Sequence, residues 1–397
     1  MMSVEIRRED LETWADYLLD HSLDGIGPED TVMIKGERIG WPLMSILQDK
    51  VFAAGGIADI CLVPPDNDRG KVWGASIARH GTVEQIQRVP DWQMARYQAM
   101  TKYVEVMGAE SPGLFEGLPE ETSAAVVRVD EPYKTIRLLK PWVITLYPTQ
   151  GFADLEDMSL EEYTDVIVSA STFDPRLLEV VEEPIFQAMS NSRTVRVVTE
   201  DPRNGRMLEL SINISDHNVI KCTGKRNLPD GEVFTSPDAR ATEGEIFVDL
   251  PVFQGGTTIR GIYLRFEGGV IREYVAQEGA EALANVIETD EGSRRLGEVA
   301  LGTNAGMKEV LRHPLFVEKV AGTLHIAIGA IYPECYVEDA TSAEGKRQCE
   351  ELAKSGVLNL SAQHVDIVTD FRAGGVGRAV FLDDIQLEVR DGNWVVP

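Results

Sequence analysis

Apolar residues recur at helical intervals early in the chain and alternate with polar ones later. Residues 9–21, "EDLETWADYLLDH", place apolar side chains three and four apart and predict an amphipathic helix. "TVMIKG" (31–36) is a short apolar run that predicts a buried strand. "WPLMSILQDKVFAAGG" (41–56) predicts a helix that stops at Gly55-Gly56, and "IADICLVP" (57–64) predicts the next strand. This strand–helix–strand grammar implies an open parallel sheet. "AAVVRVD" (124–130) and "PWVITLYP" (141–148) read as further buried strands. In "MSLEEYTDVIVSAST" (158–172), Ser159 and Glu162 have capping-box spacing and open a helix.

After about residue 190 strands dominate. "TVRVVTED", "MLELSIN", "EIFVDLPVF" and "GIYLRFEGGVIREYVA" alternate, and the last folds back at Gly268-Gly269 as a hairpin. One helix, "EGAEALANVIETD", interrupts, and Asp391-Gly392 marks a closing hairpin. The expected fold is an α/β N-terminal domain with an open, mostly parallel sheet over residues 1–190. A β-rich α+β catalytic domain is expected over 191–397. A chain of 397 residues suits that division.

Composition narrows the function. The net charge is -27, with 65 acidic against 38 basic residues. Nucleic acid and anionic membranes need a basic face, so neither is an expected partner. No apolar run nears the roughly 20 residues that span a bilayer, and the N-terminus has no signal core. The four cysteines, Cys61, Cys222, Cys335 and Cys349, form no CxxC pair, and a cytoplasmic location is the simplest expectation.

Six histidines leave few candidates for chemistry. His21, His80, His217 and His313 lie in polar, helix-end or turn-like contexts and read as solvated or capping groups. His325 lies inside "GTLHIAIGAIYP", an apolar run, where a core histidine and a ligand are both open readings. In "SAQHVDIVTD", His364 and Asp366 are two apart on a strand and share one face. Glu232 and Glu298 each sit in a Gly-Glu-Val, where burial is costly unless the carboxylate is paired or coordinated. Each also reads as a turn cap or an arginine partner, with Arg294 and Arg295 close to Glu298. Together, Glu232, Glu298, His325, His364 and Asp366 are five nitrogen and oxygen donors, a set that suits two divalent ions such as zinc, cobalt or manganese.

"NLPDGEVFTSP", "TDEGSRRLGEVALGTN", "LHIAIGAIYP" and "LSAQHVDIV" resemble, in order, the motif blocks of the M29 metallopeptidases. "YPTQGFADLEDMSLEEYTDVI" resembles that family's first-domain signature. The resemblance implies metal ligation by Glu232, Glu298, His325, His364 and Asp366, and a tyrosine beside the metals at Tyr332. It also implies aminopeptidase activity with two divalent ions, peptide substrates with a free N-terminus, and a homodimer. The sequence departs from the family after Asp366, where "IVTDFRAGGVG" adds Asp370 and a glycine-rich turn.

Metal-assisted hydrolysis needs a proton acceptor, for which Glu298 is the expectation, and an oxyanion donor, for which Tyr332 is. Two rivals stand beside it. His325, His364 and Asp366 alone are a two-His-one-carboxylate set of the kind used by non-haem iron ring-cleaving dioxygenases. A peptidase fold that only binds ligands is the other.

Overall fold

The computed structural model describes residues 4–63, 74–88, 91–110, 118–254, 257–340, 342–372 and 377–397. The chain divides into two compact units, 1–175 with 224–230, and 176–223 with 231–397. The helix Pro175–Ser190, at whose end the sequence suggests a boundary, is almost wholly grouped with the second unit.

The first unit is built on a parallel sheet of β1 (Thr31–Glu37), β2 (Ile57–Val63), β3 (Lys102–Met107) and β4 (Trp142–Leu146). Their order is β2-β1-β3-β4. The helix Trp41–Ala53 links β1 to β2 and ends at Gly55, whose φ of 88° is the left-handed conformation of a C-cap. Ser159 and Glu162 form the expected capping box. The segment 224–230 returns to this unit, where Asn227 bridges Ile144 beside the sheet.

One expected strand is a helix. "AAVVRVD" lies within the helix Glu120–Leu138. Ala125, Val126, Val129 and Tyr133 are buried at helical spacing, and the period is visible only when Tyr133 is counted. The strand that fills the sheet there is β3, "KYVEVM".

Among the described residues the second unit holds two large antiparallel sheets and a two-stranded hairpin. The larger comprises β5 (Thr194–Asp201), β6 (Arg206–Asn213), β9 (Thr242–Val248), β10 (Val252–Gln254), β11 (Thr257–Glu267), β12 (Val270–Glu278), β16 (Ala379–Leu382) and β17 (Ile385–Gln386). "EIFVDLPVF" is split between β9 and β10, with the break at Asp249–Pro251. Both expected hairpin turns form, at Gly268-Gly269 and at Asp391-Gly392, the latter joining β18 (Glu388–Arg390) to β19 (Asn393–Val395). The turn expected at 374–377 lies, except for Gly377, outside the described residues. Among the described residues no helix is long and apolar enough to cross a membrane.

The smaller sheet runs β15 (His364–Asp370), β14 (Thr323–Gly329), β13 (Leu296–Gly302), β8 (Glu232–Thr235), β7 (Ile220–Cys222). Its strands alternate, apart from the irregularity at Gly297 in β13. Val233, Val299, Leu301, Leu324, Ile326, Ile328, Val365 and Ile367 all point into the main core of the unit. The residues between them face the other way.

Two glycines set this sheet's geometry. At Gly297 the β13–β14 register shifts, and a Cβ there would lie 2.0 Å from the Ala330 carbonyl oxygen. At Gly231, φ is 138° and a Cβ would lie 2.8 Å from Asn304 Cβ. Both precede a glutamate, so the small residue in each Gly-Glu-Val is a backbone requirement. Gly297→Ala is expected to destabilise the protein by roughly 1–3 kcal/mol, the cost of forcing an extra methyl group into packed backbone. Gly27→Ala, at a site with no heavy atom within 4 Å, is the control and should leave the urea midpoint nearly unchanged.

Candidate metal centre

The outward row of the smaller sheet explains how five distant residues meet. In the β13–β14–β15 register, Glu298 is opposite Ala327, and Ala327 is opposite Asp366. A methyl side chain therefore lies between two carboxylates and leaves room above it. His325 is opposite both Ala300 and Val368, and His364 is opposite Gly329. Glu232 pairs with Gly302 on the next strand. Donors thus alternate with Ala300, Gly302, Ala327 and Gly329, small residues that keep the face open for the larger side chains.

The donor atoms converge. His325 Nε2 lies 3.3 Å from Glu298 Oε1 and 3.5 Å from Glu232 Oε2. His364 Nε2 lies 3.4 Å from Glu298 Oε2 and 3.5 Å from Asp366 Oδ1. Each oxygen of Glu298 therefore faces a different imidazole, the position of a bridging group. His364 Nδ1 sits 2.8 Å from the Ala330 carbonyl oxygen. If it donates its hydrogen there, Nε2 is left with a lone pair toward the carboxylates.

Neither arginine near Glu298 in sequence pairs with it. Arg294 pairs with Glu288 at 3.6 Å, and Arg295 donates to the Ala239 carbonyl at 2.9 Å. Glu232, Glu298 and His325 are buried. Glu232 Oε2, Asp366 Oδ1 and His325 Nδ1 are buried atoms with no hydrogen-bond partner in the protein. Orphaned oxygens among imidazole nitrogens are what a divalent cation would satisfy, so the donor set fits one.

A residue the sequence did not single out joins them. Glu318 follows the short helix Pro314–Val317 and offers an oxygen within 4.8 Å of donor atoms of His325 and Asp366. Among these six residues three donor groups result: Glu232–Glu298–His325, Glu298–His364–Asp366, and Glu318–His325–Asp366. Beside Glu318, Lys319 is buried and ion-pairs with both Glu232 and Glu318. Their only signal in the sequence is two charges following an apolar run, "LFVEKV", which also describes an ordinary surface turn.

Tyr332 lies just beyond β14, and its backbone N–H donates to Ser236 Oγ at 3.0 Å. Its ring meets His364 edge to face at 5.0 Å and Phe234 at 5.3 Å. A small hollow of about 60 Å³ opens beside His364 and Asp366, walled by Pro251, Phe253, Val317, Val368 and Arg312. Asp370 is outside all three donor groups and is tied to Arg372 at 2.8 Å. His313 caps the helix Pro314–Val317 by accepting from the Leu315 N–H.

The charges are strongly coupled. Burial pulls the His364 pKa down, but Asp366 and Glu298 outweigh it and push it up to about 11. At His325 burial again opposes, and Glu298, Glu232 and Asp366 raise the pKa to about 9. Burial works to raise Glu298 and Asp366, and the two imidazoles reverse the sign and lower both. Glu318 behaves oppositely. Burial raises it well above the usual carboxylate range against the opposing charge of Lys319. For Tyr332, burial and then Glu298 and Asp366 hold the phenol protonated, although 41% of the residue is exposed.

These shifts set the sign of a linkage. With pKa values of about 9 and about 11, both imidazoles carry protons at neutral pH before any cation arrives. Ligation of a cation would require them neutral, so uptake there would expel protons and weaken as the pH falls. Titrating Co²⁺ calorimetrically at pH 7.5, in buffers of differing ionisation enthalpy, should show heats that scale with the buffer.

Comparison with known proteins places this arrangement. Residues 7–376 match the family model described as thermophilic metalloprotease (M29). Aminopeptidase T of Thermus aquaticus is 41% identical over 144 residues, which is 35% of this chain and 33% of that protein. The matched stretch thus spans about a third of that relative's length. The structure of wild-type AmpT from Thermus thermophilus superposes with a TM-score of 0.73 at 24% identity, covering 98% of this chain and 100% of that one. The 2,5-dihydroxypyridine dioxygenase of Pseudomonas putida KT2440 shares the fold more distantly, with a TM-score of 0.58 at 12% identity, covering 99% of both chains.

Proposed function

The chain belongs to the thermophilic metalloproteases of family M29, and from that premise we propose that it is a metal-dependent aminopeptidase. It removes N-terminal residues from peptides. The supporting observation is the convergence of Glu232, Glu298, His325, His364 and Asp366 on one sheet face, with Glu232 Oε2 and Asp366 Oδ1 buried and unpartnered. In this reading the five residues hold two divalent ions, zinc, cobalt or manganese, with Glu298 shared between the positions. Bound there, such ions polarise a peptide carbonyl and lower the pKa of water.

The chain's own groups do the rest. Glu298 accepts a proton from the attacking water, since its carboxyl is held ionised between the two imidazoles. Tyr332 keeps its phenolic hydrogen at neutral pH and donates it toward the developing oxyanion. Glu318 lies beside Asp366 and His325 and adds a further carboxyl to the site. The oxygenase alternative uses only His325, His364 and Asp366 and leaves Glu232 and Glu298 without a task, so their place in the same cluster favours hydrolysis. The family resemblance also supports a homodimer, expected near twice the 43.9 kDa chain mass by light scattering.

Chelation should abolish hydrolysis of aminoacyl amides, and Co²⁺, Zn²⁺ or Mn²⁺ should restore it. Full turnover by metal-free protein would contradict the proposal. Tyr332→Phe should lower kcat by roughly 10²–10³-fold, the loss expected for one oxyanion donor, with metal content unchanged. Glu232→Gln should lower metal content and turnover together while the far-ultraviolet circular dichroism stays the same.

A further inference from the structure

The proposed chemistry gives no role to Lys319, although its side chain is only 2% exposed. Burying an ammonium is costly unless anions surround it. Two do. Lys319 Nζ ion-pairs with Glu232 Oε1, and it lies 2.8 Å from Glu318 Oε1. Both partners are members of the donor groups. Glu232 belongs to the Glu232–Glu298–His325 group and Glu318 to the Glu318–His325–Asp366 group. The remaining group, Glu298–His364–Asp366, contains neither of them. The ammonium is therefore placed asymmetrically across the site.

The oxygens of Glu232 are divided accordingly. Oε1 is taken by Lys319. Oε2 has no hydrogen-bond partner and lies 3.5 Å from His325 Nε2. Only one oxygen of Glu232 is then free to ligate a cation. A unit positive charge also stands beside any cation that Oε2 would bind, and repulsion between cations is strong in a poorly solvated interior.

We propose that Lys319 is a positioning residue that makes the two cation positions unequal. It restricts Glu232 to a single donor oxygen, so that Glu232–Glu298–His325 is the weak, exchangeable position. Glu298–His364–Asp366 is the tight one. This inference rests on the metallopeptidase reading above. In the metal-free chain the same ammonium offsets part of the charge of the crowded carboxylates.

The test is a Co²⁺ titration of metal-free, full-length protein by calorimetry, with metal analysis after gel filtration. The wild type should bind one ion tightly and a second at least about tenfold more weakly. Glu232→Gln should lose the weak class and keep the tight one. Lys319→Met, which removes the charge while keeping much of the volume, should tighten the weak class by at least about tenfold and leave the tight class in place. A Lys319→Met protein whose second ion binds as weakly as before, or more weakly, would overturn the proposal, because a purely structural lysine would weaken binding when lost. Should Lys319→Met fail to fold, the other two proteins still decide. Two ions of equal affinity in the wild type, or loss of the tight class in Glu232→Gln, would each refute the asymmetry. A wild type that binds no ion would remove the metallopeptidase reading and this inference together.

Discussion

Four carboxylates, Glu232, Glu298, Glu318 and Asp366, share one small region with two imidazoles and one ammonium. Charges crowded in this way are tolerable only if each is answered by an opposite charge or a cation. That requirement governs the second unit. It explains why the imidazoles are pushed toward their charged forms and why a lysine is buried among the acids. It also explains why burial and the neighbouring acids push the Glu318 carboxyl above its usual range against the pull of Lys319.

The sheet that carries these groups is constrained from both sides. Its inward face contributes Val299, Leu301, Leu324, Ile326, Ile328, Val365 and Ile367 to the core. A slip of one residue in any of these strands would turn that row out of the core and point the donors into it. The aliphatic packing therefore fixes the polar geometry, and the position of each donor follows from the register of β13, β14 and β15. Gly297 permits the shift in register that sets Glu298 opposite Ala327, and Ala327 leaves the space in which Glu298 and Asp366 approach each other.

Much of this was legible in the chain. "GEVALG" and "HIAIG" alternate donors or small residues with large aliphatic ones, "EVF" and "HVD" begin the same way, and strand alternation turns such a pattern into two distinct faces. The parallel order of the first sheet followed from alternating helices and strands. The errors have local causes. "AAVVRVD" has too few residues to reveal a helical period, which emerges only with Tyr133. "EIFVDLPVF" conceals its break at Asp249–Pro251 among apolar neighbours. Glu318 and Lys319 were missed because they enter from a turn, where no periodicity shows direction, and their significance depends on Glu232, 87 positions from Lys319.

The central claim is that this cluster holds divalent cations on which peptide hydrolysis depends. Its most direct test measures metal content and aminoacyl-amide turnover on the same preparations, through depletion by chelator and stepwise reloading with Co²⁺. Turnover should vanish with the metal, return as ions are bound, and stay absent in Glu298→Gln. Turnover that persists undiminished in protein shown to be metal-free would contradict it.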